Sequence, residues 1–367
     1  MNNYAKENLN MQKRAYLTLA SGDVFPGWRL GAECDAVGEL VFSTSMCGYL
    51  EALTDPGYKG QILMQTFPLI GNYGLIEEDY ESDKVHLSAY VVREMCDEPS
   101  NFRSTGELES LFKDNGVACI FGVDTRAITR IVRERGVMNA IITSNKELSE
   151  EQKKLLNEYK IEKAVEAVTC KEEITLSEGS KRLILWDFGA TNSLANEMIK
   201  RDCEVIKVPA FTSAERILAL KPDGILLSDG PGDPAEYQNI IDEISKLSFR
   251  GIPIMGIGFG HQLLALAMGG RTLKLKYGHR GANQAVVYTV TGRSYITSQN
   301  HGFAVDAIGL PRGAKLLFFN LNDGTCEGLE YENAQAFSVQ FVPEAAGGPQ
   351  DMSFLYERFI KMMPKGE

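Results

Sequence analysis

From residue 181 onward, short continuous apolar runs alternate with amphipathic stretches. Leu183-Ile184-Leu185-Trp186, Val205-Ile206, Ile225-Leu226-Leu227 and Ile252-Pro253-Ile254-Met255 are such runs, each closed by Gly, Pro or Asp within a few residues. Unbroken apolar runs of this length read as strands buried on both faces. Between them the apolar residues recur at helical spacing, as in Leu194, Met198 and Ile199, and again over 213–220 and 236–247. This strand–helix alternation predicts a parallel sheet covered on both faces, with its sites at the carboxyl ends of the strands. After Gly270 the pattern changes to short runs separated by glycine turns, over 285–290, 295–299, 314–319, 328–331 and 336–340, and reads as an antiparallel addition. A last helix is predicted over 353–363, stopped by Pro364.

The first half patterns differently. Residues 1–15 form a polar extension. From Tyr16 the chain alternates, turns at Ser21-Gly22-Asp23 and resumes at Val24, a hairpin signal. Further strands are predicted over 38–46 and 60–67, with breaks at Asp55-Pro56-Gly57 and Pro68 to Gly74. Asp124 is placed to cap a helix over 125–134. The charged stretch 151–180 reads as a linker, so the domains expected are 16–150 and 181–367, the first a mixed α+β domain with little parallel sheet and the second α/β.

Composition narrows the function. At 44% hydrophobic and 24% charged, the chain is globular in type. A net charge of −11 argues against nucleic acid as a partner, and no apolar run is long enough to span a membrane. Without a signal-peptide pattern at Met1 to Asn8, a cytoplasmic location is expected. The seven cysteines are scattered and include no Cys-x-x-Cys, which favours free thiols and no metal site.

The chemistry concentrates in Met255-Gly256-Ile257-Gly258-Phe259-Gly260-His261-Gln262. An apolar strand, a glycine turn and a helix in this order make a nucleophile elbow, which lifts one side chain above the sheet and aims it at helical N–H groups able to stabilise an oxyanion. The tip residue is Gly258, which has no side chain.

Three stretches, Ser228-Asp229-Gly230-Pro231-Gly232-Asp233-Pro234, Gly256 to Gln262 and Gln340-Phe341-Val342-Pro343-Glu344, resemble the signatures of class I glutamine amidotransferases. Gln299-Asn300-His301-Gly302-Phe303-Ala304, together with Thr44-Ser45-Met46-Cys47-Gly48-Tyr49, Leu53 to Tyr58, Pro68 to Gly74, Pro99 to Arg103 and Asp124 to Ala127, resembles more narrowly the small, glutaminase subunits of carbamoyl phosphate synthases. The resemblance runs in order over 16–364. It implies a cysteine nucleophile, a histidine base and an orienting glutamate that release ammonia from glutamine. A large subunit then combines that ammonia with bicarbonate and ATP, for arginine and pyrimidine synthesis. No cofactor is expected in this chain, ATP and Mg belonging to the large subunit.

By the same resemblance the nucleophile position is Gly258, the base position Val342, and the glutamate Glu344. Ser45, Gly230, Gly232, Phe259, Gln262, Asn300, Gly302 and Phe303 stand at the glutamine-holding positions. Glycine and valine supply neither thiolate nor base, so this sequence predicts a ligase subunit with a degenerate triad and no glutaminase of its own. The alternative is a non-catalytic glutamine-binding sensor or regulator. Cys47 and Cys326 are the candidate stand-in thiols of a third, still-active reading, though neither lies on an elbow. Ser45, which has no base beside it in sequence, also reads as a plain turn hydroxyl. Two further departures are Asp229, where the family carries asparagine, and Asp187-Phe188-Gly189-Ala190-Thr191-Asn192-Ser193, which lacks the family's lysine and asparagine. The missing thiol predicts a roomier and less polar site, and weak amidase on restoring Cys and His at 258 and 342 together.

Overall fold

A computed structural model describes residues 13–311, 313–344 and 347–364. The chain divides into two compact units between Glu162 and Lys163. Most of the predicted N-terminal extension lies outside the described residues, and its end, Arg14 and Ala15, already belongs to a strand.

The first unit contains strands β1 (Arg14–Leu19), β2 (Val24–Gly31), β3 (Ala36–Ser43), β4 (Gln61–Gln65), β5 (Leu69–Ile70), β6 (Ala89–Val91), β7 (Glu94–Met95), β8 (Ala118–Phe121) and β9 (Met138–Thr143). Seven of them close a barrel in the order β1-β2-β8-β6-β4-β3-β9. The predicted hairpin is β1–β2, with Thr18 opposite Val24. Asp124 caps the helix Thr125–Arg135, its carboxylate accepting from the Ala127 N–H at 3.0 Å. One expectation is corrected: β3–β4, β4–β6 and β6–β8 are parallel pairs, so parallel pairing is not scarce here. An apolar run carries no mark of strand direction. The helices and irregular segments over 44–60, 66–88 and 92–117 act as crossovers and set it.

The second unit is built on a ten-stranded sheet. Its strands are β10 (Ile174–Thr175), β11 (Lys181–Asp187), β12 (Cys203–Pro209), β13 (Gly224–Leu227), β14 (Ile254–Ile257), β15 (Thr272–Tyr288), β16 (Arg293–Val305), β17 (Ala314–Asn320), β18 (Cys326–Tyr331) and β19 (Ala336–Val339). Five central strands, β12-β11-β13-β14-β19, run parallel. The sheet continues antiparallel through β18, β16, β15 and β17. Two hydrophobic cores lie on its faces, and successive residues of each apolar run are divided between them. Ile184, Trp186, Ile225 and Leu227 join the helices Ala214–Ala219, Gln238–Leu247 and Phe259–Ala267 on one face. Leu183, Leu185, Leu226 and Met255 join the helices Asn192–Ile199 and Phe354–Met362 on the other. This period-two division is why the runs are apolar without interruption.

Two readings of the later strands change. β19 pairs parallel with β14 and so completes the parallel series as well as the antiparallel one. The hairpin β15–β16 starts at Thr272, well before the predicted run at 285: Leu273, Leu275 and Tyr277 alternate with polar residues, and the buried stretch Gly278 to Gly281 that follows is made of glycine, histidine and arginine, which do not read as an apolar run. No helix among the described residues is long and apolar enough to cross a membrane.

Candidate functional site

The sheet places the elbow where the pattern put it. β14 ends at Ile257, Gly258 turns with φ 55° and ψ −111°, and the helix starts at Phe259. A side chain at such a backbone conformation costs roughly 1–3 kcal/mol, which glycine avoids. The turn is fixed on both sides: Gly258 N–H donates to Val339 O at 2.9 Å and Gly260 N–H to Ser228 O at 3.0 Å. Close approach explains the last glycine of the motif, since a Cβ on Gly260 would lie 2.4 Å from the Leu227 carbonyl oxygen.

The loop after β13 meets this turn. Asp229 Oδ1 accepts from two backbone donors, Gly230 N–H and Phe259 N–H, each at 2.8 Å. A Cβ built on Gly258 would lie 2.2 Å from that same oxygen and 2.3 Å from Asp229 Cγ. The carboxylate therefore stands where a tip side chain would begin. The predicted roomier, less polar site is corrected: the space is filled, and by a charged group. Anions are favoured at a helix N-terminus, and a tip without Cβ lets one in.

Val342 follows β19 and is tied by its backbone, its N–H donating to Ser298 O at 3.0 Å. Its side chain has no atom that accepts a proton. Glu344 is buried, and the hydroxyl of Tyr356 donates to its Oε2. Burial, followed by the neighbouring Glu344, holds the Tyr356 phenol far above its ordinary pKa, so it acts as a donor. No motif pointed to Tyr356. It is a core residue of the last helix, whose partner is met only after folding.

The other predicted positions fall into separate groups. Gln262 Nε2 donates to Phe303 O at 2.8 Å and to Gln340 Oε1 at 2.9 Å, joining the elbow helix to β16 and to the end of β19. Phe259 is packed edge-on against Phe188 and Tyr237 at centroid distances of 6.1 and 5.9 Å, inside the core. Gly230 backs onto Phe188, with 2.5 Å between a notional Cβ and its carbonyl oxygen; Gly232 has φ 96°. Asn300, Gly302 and Phe303 are half-buried on β16, where Asn300 sits opposite Arg280 and the Phe303 ring faces the Lys274 ammonium at 5.8 Å. Ser45 belongs to the first unit, half-buried after β3, its N–H donating to Ser43 Oγ at 3.2 Å.

The histidines of the motifs are structural in their surroundings. His261 is fully buried with Nδ1 against Ser338 Oγ at 2.8 Å, and burial pushes its pKa down to about 3. His301 lies with Nδ1 against Phe303 O at 2.7 Å and Nε2 against Gln299 Oε1 at 3.0 Å; burial, then His279 beside it, keeps it well below the ordinary imidazole range. A buried His279–His301–Glu327 group has its ligand atoms within 4.8 Å of one another, a spacing compatible with a metal. Those atoms already have protein partners: His279 meets Asp323 at 2.9 Å and Glu327 at 3.3 Å, and Glu327 accepts from Gln299 at 3.0 Å and Asn320 at 3.1 Å. Of the stand-in thiols, Cys326 is buried and pushed up to about 12 by that burial, which removes its nucleophilicity at neutral pH. Cys47 is exposed, in the first unit.

Comparison with known proteins agrees over both units. Residues 17–142 match the carbamoyl-phosphate synthase small chain, CPSase domain, and residues 184–362 match glutamine amidotransferase class-I. A carbamoyl phosphate synthase small chain of Syntrophotalea carbinolica is 45% identical, covering 96% of this chain and 98% of its own. That of Fusobacterium nucleatum is 44% identical over 94% of this chain and 97% of its own. The small chain of Clostridium perfringens is 42% identical over 95% and 99%.

Proposed function

The chain belongs to the carbamoyl phosphate synthase small-chain family, and we propose that it serves as a small subunit that no longer hydrolyses glutamine. The observation that carries this reading is Gly258 at the elbow tip, with no side chain to attack an amide. Val342 supports it, because acyl transfer also needs a group that takes the thiol proton and returns it to the leaving amine. Loss of one member of such a unit removes most of its rate, and a second loss then adds little.

On this proposal the chain's contribution is structural. It docks on a large subunit, which binds ATP and Mg and makes carbamoyl phosphate from bicarbonate and free ammonia. The chain itself needs no cofactor. Glu344 no longer orients an imidazole; it is held by Tyr356 and ties the segment after β19 to the last helix.

The test is co-expression with the large subunit encoded in the same genome, followed by purification and assay. A stable complex that makes carbamoyl phosphate from ammonium chloride, with no glutamate released from glutamine, is expected. Glutamine-driven synthesis at a rate comparable to the ammonia-driven one would refute the loss of hydrolysis. Tight glutamine binding without any association with the large subunit would favour a sensor instead.

A further inference from the structure

We propose that Asp229 is an internal anion of the elbow site, lodged on the oxyanion-binding amides and coupled to Gly258 so that the two positions act as one unit. This deepens the reading of a silent amidase and rests on it.

In an elbow, the developing oxyanion is held by the N–H of the residue after the tip and by a second N–H from another loop. Here the residue after the tip is Phe259, and the second loop is the one that follows β13. Phe259 N–H and Gly230 N–H converge on one oxygen, Asp229 Oδ1, at 2.8 Å each. The pair is thus assembled as oxyanion chemistry requires, and it is already occupied by a charge-assisted acceptor from the protein itself. A substrate carbonyl oxygen can reach these amides only by displacing that carboxylate.

The occupancy depends on residue 258. Any side chain there begins with a Cβ, which would sit 2.2 Å from Oδ1, 2.3 Å from Cγ and 2.6 Å from Oδ2 of Asp229. No rearrangement of that Cβ is available, because it is fixed by the backbone, so the carboxylate itself has to leave. Glycine at 258 and the carboxylate at 229 therefore belong together. An ordinary helix cap has no such dependence: its stabilisation is set by its own hydrogen bonds and is indifferent to a methyl on a neighbouring turn.

A double-mutant cycle separates the two cases, with Asp229→Ala, Gly258→Ala and the double variant compared by urea unfolding. The backbone penalty of alanine at φ 55° is present in both backgrounds and cancels. If Asp229 occupies the space of the tip side chain, Gly258→Ala raises the unfolding constant at least about tenfold more in the parent than in Asp229→Ala. Folding of Gly258→Ala only when Asp229→Ala accompanies it is the same result in stronger form. Additive effects would overturn the proposal and leave Asp229 a simple cap. Should Gly258→Ala fail to fold in both backgrounds, the Phe259 amide decides, observed in protein labelled with 15N-phenylalanine. Its proton moves upfield in Asp229→Ala if it has lost a charged acceptor, and an unchanged shift refutes the contact. None of these readouts depends on turnover, so glutamate release by the parent would sink the proposed loss of hydrolysis without touching the coupling.

Discussion

Gly260→Ala tests whether the elbow helix is as tightly drawn onto β13 as the geometry says. The added Cβ would meet the Leu227 carbonyl oxygen at 2.4 Å, and Leu227 C and Cβ at 2.7 Å each, where ordinary contact begins at 3.4 Å. The shortfall is about 1 Å against backbone, which cannot swing aside as a side chain does. Overpacking of this kind costs roughly 1–3 kcal/mol. Moving the helix away also stretches the bond from Gly260 N–H to Ser228 O, worth about 1 kcal/mol. Alanine returns up to about 1 kcal/mol of helix propensity. The net expectation is a loss of about 2 kcal/mol. The chain has two tryptophans, Trp28 in the first unit and Trp186, fully buried, in the second. In a Trp28→Phe background, tryptophan fluorescence in a urea titration therefore reports the second unit alone. Gly309→Ala is the control, since its Cβ would meet only Asp306 Oδ2, at 3.8 Å. If Gly260→Ala is no less stable than that control, the close approach is not what requires glycine there.

Tyr356→Phe removes the hydroxyl that donates to the buried Glu344 and is expected to cost about 2 kcal/mol, the worth of a hydrogen bond to a charged acceptor; a change under about 0.5 kcal/mol in the same titration would refute a role for that pair in stability. His261 titrates at about 3 when folded against an ordinary value of 6.5, so the unfolded chain takes up its proton first as pH falls. Its contribution is full above about 6.5 and is lost progressively toward 3. Between pH 7 and 5 the parent should lose roughly 2 kcal/mol more than His261→Asn, and parallel pH profiles of the two would contradict this. Gly258→Cys brings a Cβ that expels the Asp229 carboxylate from the amides, so Gly258→Cys with Val342→His should release glutamate weakly, while Gly258→Cys alone, with no base at 342, should release none. Equal activity in the single and double variants would show that Val342 does not occupy the base position.

Local periodicity determined the elements of the second unit, because burial on two faces of a parallel sheet leaves its mark in each run separately. Leu183 to Trp186 had to be apolar throughout once its residues were divided between two cores. The elbow was equally legible, since the Gly-x-Gly-x-Gly spacing records one positive φ at Gly258 and one close approach at Gly260. The Asp124 cap was visible for the same local reason. The barrel of the first unit was not, because apolar runs carry no direction and three of its pairs are parallel. Nor was the first half of β15, whose buried residues Gly278, His279, Arg280 and Gly281 are not apolar and are placed by pairing with β16. In the site, sequence marked Gly258, Val342 and Glu344 as positions but could not say what fills them. Asp229 reaches Phe259 across 30 residues, and Tyr356 reaches Glu344 from a separate helix. Such contacts are made by crossovers that bring distant segments together. The sequence alone specified a tip without a side chain, and only the packing of β13 against β14 put a carboxylate in its place.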